Sequence, residues 1–315
     1  MIKCMGCMRD YNETMNKCPS CGYSEKQMKM DILEYADALQ PETILDKRFV
    51  IGRVLDLSDF SIIYLSWDAL LERRVIIREY FPYGVAERNS EDASLRAINA
   101  KEQVKFEKGR EVFEEENKAL WKNQDIPELV NVYRCFEENG TSYSVSEYLE
   151  GCTLQDYIDV NAKLPENEAN NMFVKMLDAL DTLHKRDICH LNLAPENIYM
   201  LGDDRFKFID FGKAKETVHR LQNGQLAIFD ERYTAPEVLN SGTISSAADM
   251  YSLGAIYYQM LTGDFPLKPG KKGRGGKKMK VKNGRSTMII DLLTEEDINA
   301  RPGNAEQLMK AIEGR

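Results

Sequence analysis

Apolar positions recur at helical spacing in Met28, Ile32, Tyr35/Ala36 and Leu39, which predicts a helix within residues 24–41. It reads as a linker (24–43) packed on the domain that follows, or as a docking element for another protein. From Ile44 to Asp68 the pattern turns strand-like: Phe49–Leu55 and Ile62–Leu65 flank a turn at Asp56–Ser61. A long helix is expected over about Ala100–Asn123, with Phe106, Phe113, Glu116 and Leu120 on its inner face. Beyond residue 151 the chain becomes helical. Pro165, Glu166 and Glu168 suit a first turn, and Met172/Phe173, Met176/Leu177, Leu180 and Leu183 form the stripe to be buried.

That stripe leads into His190-Leu191-Asn192-Leu193-Ala194-Pro195-Glu196-Asn197, and Asp210-Phe211-Gly212 follows thirteen residues after Asn197. The pair resembles the catalytic loop H-R-D-L-K-P-E-N and the D-F-G turn of eukaryotic-type protein kinases, including the bacterial Ser/Thr members. In that family the loop Asp takes the substrate proton, the Lys neutralises phosphate, and the Asn and the D-F-G Asp hold magnesium. Here the Arg, Asp and Lys read Leu191, Asn192 and Ala194, while Asn197 and Asp210 remain as residual magnesium positions.

Other stretches resemble the same family in its order. The family's glycine-rich loop aligns with Asp56–Ser61, and its three glycines fall on Asp56, Ser58 and Ser61. Glycine is used there so that backbone N–H groups can approach phosphate; the side chains obstruct this, and Asp56 and Asp59 add negative charge. Val75-Ile76-Ile77-Arg78 resembles V-A-I-K, with Arg78 in the lysine's place. Its planar fork suits a carboxylate better than a point contact to phosphate, and the matching carboxylate is Glu116. Ile76 stands where the family's alanine roofs the adenine, and Tyr199 stands where leucine floors it. The resemblance therefore implies a nucleotide slot filled from both sides. Tyr143–Gly151 resembles the last small-lobe strand and the hinge, with Ser146 in the gatekeeper place. Asp210 to Glu237 resembles an activation segment in which Asp230 replaces the usual Thr. Asp249–Gly263 resembles the buried central helix, whose Asp bonds back to the catalytic loop. Arg301 resembles the partner of the A-P-E Glu, here Glu237.

Two Cys-x2-Cys pairs, Cys4/Cys7 and Cys18/Cys21, are separated by ten residues. The spacing suits four thiolates about 2.3 Å from one tetrahedral zinc, and such a short segment would take its folding energy from the metal. Two redox-active pairs or four unrelated thiols are the competing readings. Cys135, Cys152 and Cys189 lie in apolar contexts and are expected to be buried free thiols.

The 315 residues carry a net charge of −9, with 43% apolar and 30% charged positions, ordinary for a globular chain. No secretory or membrane-spanning pattern is found, so a cytoplasmic location is expected. Phe265–Ile290 holds nine lysines and arginines and no acid, so the rest of the chain carries −18. Overall acidity argues against general nucleic-acid binding. Within the basic loop at 268–285, the Gly- and Lys-rich stretch 268–280 cannot hold a helix, and the loop reads as solvated chain or as a site for an acidic partner, anionic lipid or nucleic acid.

The expected architecture is α+β: a zinc ribbon (1–23), a linker helix (24–43) and a two-lobed protein-kinase-like domain (44–315, lobes 44–148 and 149–315). The expected function is that of a pseudokinase, a regulatory or scaffolding module with structural zinc, an unknown protein partner and little or no binding or use of ATP and magnesium. The alternatives are a divergent Ser/Thr kinase keeping some phosphotransfer, and a metal-dependent adaptor working through the ribbon and the basic loop.

Overall fold

A computed structural model describes residues 1–202, 205–211, 230–241, 243–266, 281 and 283–314. The chain divides into two compact units, Met1–Gln124 with Val130–Tyr148, and Asp125–Leu129 with Leu149–Arg315.

The first unit is built on an antiparallel sheet of six strands. They are β3 (Ile44–Leu45), β4 (Phe49–Leu57), β5 (Ser61–Asp68), β6 (Arg73–Tyr80), β9 (Val132–Glu138) and β10 (Thr141–Glu147), in the order β3-β4-β5-β6-β10-β9. Two small hairpins precede and interrupt it, β1 (Ile2–Lys3) with β2 (Asp10–Tyr11), and β7 (Ala86–Arg88) with β8 (Leu95–Ala97). Helix α2 (Ala100–Lys122) starts where the Asn99 side chain accepts from the Lys101 and Glu102 amides. Its Phe106 and Phe113 meet the ring of Tyr80 at 5.5 and 5.8 Å. Buried side chains Phe49, Ile51, Ile62, Tyr64, Val75, Ile77, Tyr143 and Val145 make this core.

The helical spacing read over 24–41 holds only as far as Glu34. Helix α1 (Glu25–Glu34) buries no residue fully; its Met28 packs against the four-cysteine cluster, and the turn after it enters the sheet core. There Ala38 and Leu39 enter the core, and the Leu39 amide donates to the Tyr64 hydroxyl at 3.0 Å. Cys135 is exposed rather than buried. It lies on the sheet's outer strand next to Phe136, which stacks on Phe49 and Tyr143, so strand alternation turns Cys135 the other way. Cys152 and Cys189 are half-buried.

The second unit is mainly helical: α3 (Leu154–Asn161), α4 (Glu166–His184), α5 (Pro236–Ser241), α6 (Ser246–Thr262), α7 (Gly284–Leu293) and α8 (Ala305–Glu313). A small sheet joins β11 (Cys152–Thr153), β12 (Ile198–Gly202) and β13 (Arg205–Phe208). The α4 stripe is buried throughout, from Met172 to Leu183. Helix α6 is buried nearly all round. Gly254 lets α7 approach, since a Cβ there would lie 2.6 Å from the Leu293 Cβ.

Among the described residues no helix is long and apolar enough to cross a membrane. Most of the basic loop lies outside the described residues, as do Gly212, Thr217 and residues 212–229 of the segment leading to Asp230.

Candidate functional site

In the first unit, β6 and α2 bring Arg78 and Glu116 together. Arg78 Nη1 donates to Glu116 Oε1 at 2.9 Å, with both side chains largely buried, and Arg78 Nε donates to the Ser61 hydroxyl at 3.2 Å. The guanidinium thus ties the helix to the hairpin tip. We expect Arg78→Ala to cost about 1.5–3 kcal/mol, the range for hydrogen bonds to charged groups. Urea unfolding followed by tryptophan fluorescence checks it, because both tryptophans, Trp67 and Trp121, lie in this unit.

The hairpin tip is closed on itself. The Ser58 amide donates to the Ser61 carbonyl at 2.9 Å, and the Ser58 hydroxyl accepts from the Ser61 amide at 3.1 Å and the Phe60 amide at 3.4 Å. Three backbone N–H groups of the tip are therefore already engaged. The tip is also pinned from outside: Phe81 and Tyr83 donate their amides to the carbonyls of Phe60 and Asp59 at 2.8 and 2.9 Å, and the Phe60 side chain is buried. Ile76, half-buried on β6, pairs with Leu65 and Ser146.

One buried group of this unit escaped the sequence reading. Glu79, fully buried, accepts from the hydroxyls of Tyr64 and Tyr143 and from Arg88 Nη2, each at 2.7 Å. Arg88 also donates to the carbonyls of Asp37 and Ala93 at 2.7 and 2.9 Å, joining the linker and the β7–β8 hairpin to the core. The signal was present in the sequence. Val75, Ile77 and Glu79 occupy one face of β6 at period two, so the third of them puts a carboxylate among apolar residues.

In the second unit the loop before β12 is organised by Asp249 of α6. This fully buried carboxylate accepts from the amides of His190 and Leu191 at 2.8 and 2.7 Å and from His184 Nε2 at 2.9 Å. Leu191 is held at φ +62°, where an L-residue with a side chain pays about 1–2 kcal/mol. His184, Cys189 and Asp249 lie within metal-ligand reach of one another, but both Asp249 oxygens are taken by these backbone contacts.

Next along the loop, Asn192 Nδ2 donates to Asp210 Oδ2 at 2.8 Å and to the Asp210 carbonyl at 3.3 Å. Asn197 Nδ2 donates to the Asn192 carbonyl at 2.8 Å. The three polar residues therefore form one hydrogen-bonded chain, with Asp210 at φ +59°. Ala194 is buried and brings no charge. The half-buried Tyr199 donates its hydroxyl to the Gly151 carbonyl at 3.1 Å. Asp230 is gripped by Arg232, whose amide and Nε donate to Oδ1 at 2.9 and 2.8 Å. Glu237 and Arg301 pair bidentately at 2.6 and 3.0 Å.

His190 packs between Phe208 and Phe211, with ring centroids at 5.6 and 4.2 Å. Burial holds its pKa below the usual histidine value, against the pull of Asp249 and Asp210. Its Nδ1 accepts from the Asn192 amide at 3.3 Å, and Nε2 has no partner among the described residues. The unfolded chain thus takes up a proton that the folded one refuses. Stability should fall as pH drops below about 6.5, and His190→Phe should flatten that slope in thermal unfolding across pH 5–7.

At the N-terminus the four cysteines converge. Cys4 and Cys21 sulfurs lie 3.6 Å apart, Cys7 and Cys18 sulfurs 3.7 Å apart, and all four fall within 4.8 Å of one another. A zinc tetrahedron with bonds of about 2.3 Å has edges of about 3.8 Å, so the donor set fits that ion. Burial, reinforced by the adjacent thiols Cys18 and Cys21, pushes the Cys4 thiol well up. Four thiolates would not coexist here without a cation between them.

Comparison with known proteins fits this geometry. Residues 83–312 match the protein kinase domain family. The chain belongs to that family. It is 27% identical over 222 residues to "Serine/threonine-protein kinase PrkC" of Bacillus subtilis (strain 168), covering 70% of this chain and 31% of that protein. Against "Serine/threonine-protein kinase PknB" of Mycobacterium leprae it is 27% identical over 229 residues, covering 71% and 34%. The chain thus spans about a third of the length of these curated relatives. A solved structure titled "PpkA-294 apo form" superposes with a TM-score of 0.70 at 20% identity, covering 88% of this chain and 99% of that one. The fold is protein-kinase-like, with mixed helix and sheet.

Proposed function

We propose that this kinase-family chain is a pseudokinase, a regulatory or scaffolding module with little or no nucleotide binding or phosphoryl transfer. The observation that carries the reading is the bond from Asn192 Nδ2 to Asp210 Oδ2 at 2.8 Å. A carboxylate at position 192 could take a proton from a substrate hydroxyl; a primary amide has no such basicity. Its N–H also occupies a lone pair of the one carboxylate left for magnesium. Ala194 supplies no cation for phosphate, and the closed tip at Ser58–Ser61 supports the same reading from the other unit. Ile76 in the first unit and Tyr199 in the second are each bulkier than the residue that the family places against adenine.

Phosphoryl transfer depends on positioning and electrostatics, and removing a single oxyanion-hole donor already costs about 2.7–4 kcal/mol in acyl transfer. With several missing at once, radiolabel transfer to the chain or to a generic protein substrate should stay at background with magnesium or manganese. Asn192→Asp alone should not restore it, because Ala194 and the closed tip remain. Transfer above background in the unaltered chain would favour the second reading. That reading is a divergent Ser/Thr kinase, and the adjacency of Asn197, Asn192 and Asp210 in one hydrogen-bonded chain gives it its footing: Asn197 and Asp210 could still receive a metal if Asn192 swung away.

Cys4, Cys7, Cys18 and Cys21 would hold a structural zinc, which supplies no reaction step when all four positions are protein sulfur. A cytoplasmic location and an acidic partner for the basic loop complete the reading.

A further inference from the structure

The four-cysteine segment does not stand apart from the sheet. Pairing of β4 with β5 is interrupted between Ile51 and Val54, so the ladder bulges at Gly52–Arg53. The amide of Arg53, at this bulge, donates at 2.9 Å to the carbonyl of Met5, which lies between Cys4 and Cys7. Met8 closes over the same point. A Cβ on Gly52 would stand 2.2 Å from Met8 Cε, 2.6 Å from the Met5 carbonyl oxygen and 2.8 Å from that of Leu65. The bulge has therefore been filled by the cysteine turn, and only a glycine leaves room for it.

The contact extends beyond one hydrogen bond. Cys4, Met5, Met8, Cys18 and Tyr23 share a buried cluster with Leu65 of β5, joined by the half-buried Val50 and Trp67. Lys3 Nζ lies 3.6 Å from the centroid of a Trp67 ring and 2.8 Å from Asp10, bracing the β1–β2 hairpin against the strand. On the far side Tyr23 covers Gly6 and donates its hydroxyl to Asp31 of α1 at 2.7 Å. The first cysteine turn is closed by backbone bonds from Cys7 and Met8 to the Cys4 carbonyl, from Cys4 to Arg9 and by the β1–β2 pairing; the second by Cys18 to Tyr23 and Gly22 to Cys18.

We propose that the metal-loaded cysteine turn is an intramolecular clamp on the kinase-like sheet, seated in the β4 bulge, and that zinc occupancy holds the β4–β5 hairpin in register out to the tip at 58–61. The ligand class is a thiophilic divalent cation of tetrahedral preference, and the site it controls lies on the sheet rather than on a separate partner. The inference goes beyond the pseudokinase reading and does not depend on whether nucleotide binds. Because the coupling is reciprocal, the sheet must also tighten the zinc site.

Two measurements on the full chain test both directions. Hydrogen–deuterium exchange is followed with zinc bound and after removal by a strong chelator. Peptides covering residues 49–66 should exchange at least tenfold faster without metal, while α4 and α6 keep their rates. Acceleration confined to residues 1–23, or spread equally to α4 and α6, overturns the clamp. In the second measurement Leu65→Ala, which leaves every sulfur in place, is titrated against a chromogenic zinc chelator. Zinc affinity should fall about tenfold or more; unchanged affinity overturns it. Native exchange rates in α2 and β10, which belong to the same unit as Leu65, establish that this unit is folded when the titration is read.

Discussion

Glu79→Ala is expected to cost the first unit about 3–5 kcal/mol, the range for removing one partner of a buried ion pair. The Glu79 carboxylate meets Arg88 and two tyrosine hydroxyls with no exposed surface, and the Arg88 side chain is only 8% exposed. Cutting away the carboxylate leaves a guanidinium in the core and two hydroxyls without their acceptor. Arg88→Ala should cost a similar amount, since it strands the carboxylate and frees the carbonyls of Asp37 and Ala93. The double change Glu79→Leu with Arg88→Met should do less harm than either alone, because an apolar pair of similar volume replaces the ions without stranding a charge. Urea midpoints from tryptophan fluorescence give the comparison directly. If the double variant is the worst of the three, the cluster is held by something other than mutual compensation.

In the second unit, Arg301→Ala should have an effect of the same size. The Arg301 side chain is fully buried. It makes the bidentate pair with Glu237 and donates to the carbonyls of Glu295 and Ala247 at 2.8 and 3.0 Å. These bonds fasten α5, the start of α6 and the turn before α8 to one planar group. Arg301→Ala therefore releases three segments and removes the bidentate partner of the Glu237 carboxylate, at about 3–5 kcal/mol. Arg301→Lys should rescue little, since an ammonium cannot reproduce two parallel bonds and a third in the same plane. Thermal unfolding followed by far-ultraviolet circular dichroism reads the loss. A lysine variant with near-native stability would show that charge alone suffices.

Much of this architecture was legible because the periodicities are clean. The α4 stripe and the inner face of α2 place a buried residue every third or fourth position, and helix geometry leaves one way to bury them. The hairpin was readable from its β-branched and aromatic runs, but its tip is shorter than the expected 56–61, since β4 continues to Leu57 and β5 begins at Ser61. What the sequence hid were contacts made by backbone groups and by residues of ambiguous type. Nothing in the letters Ser58 and Ser61 says that one hydroxyl will collect the amides of the tip; that depends on the two-residue turn forming first. Asn192 could be read as a missing base, but its bond to Asp210 is made across eighteen residues and depends on how both loops fold. The linker misled for a physical reason. Its apolar positions run on past Tyr35 at helical spacing, yet Ala38 and Leu39 gain more by entering the core, where the Tyr64 hydroxyl meets the Leu39 amide. Cys135 misled because an apolar neighbourhood in sequence says nothing about which side of a strand a residue takes.

The most direct trial of the central claim is a thermal-shift titration of the zinc-loaded chain with ATP and magnesium, repeated with manganese, into the millimolar range. A ligand present at one hundred times its Kd stabilises by about 2.7 kcal/mol, enough to move the midpoint by degrees. The account predicts no shift beyond that of the metal salt alone, for either cation. A saturable, nucleotide-dependent rise in the midpoint would contradict it.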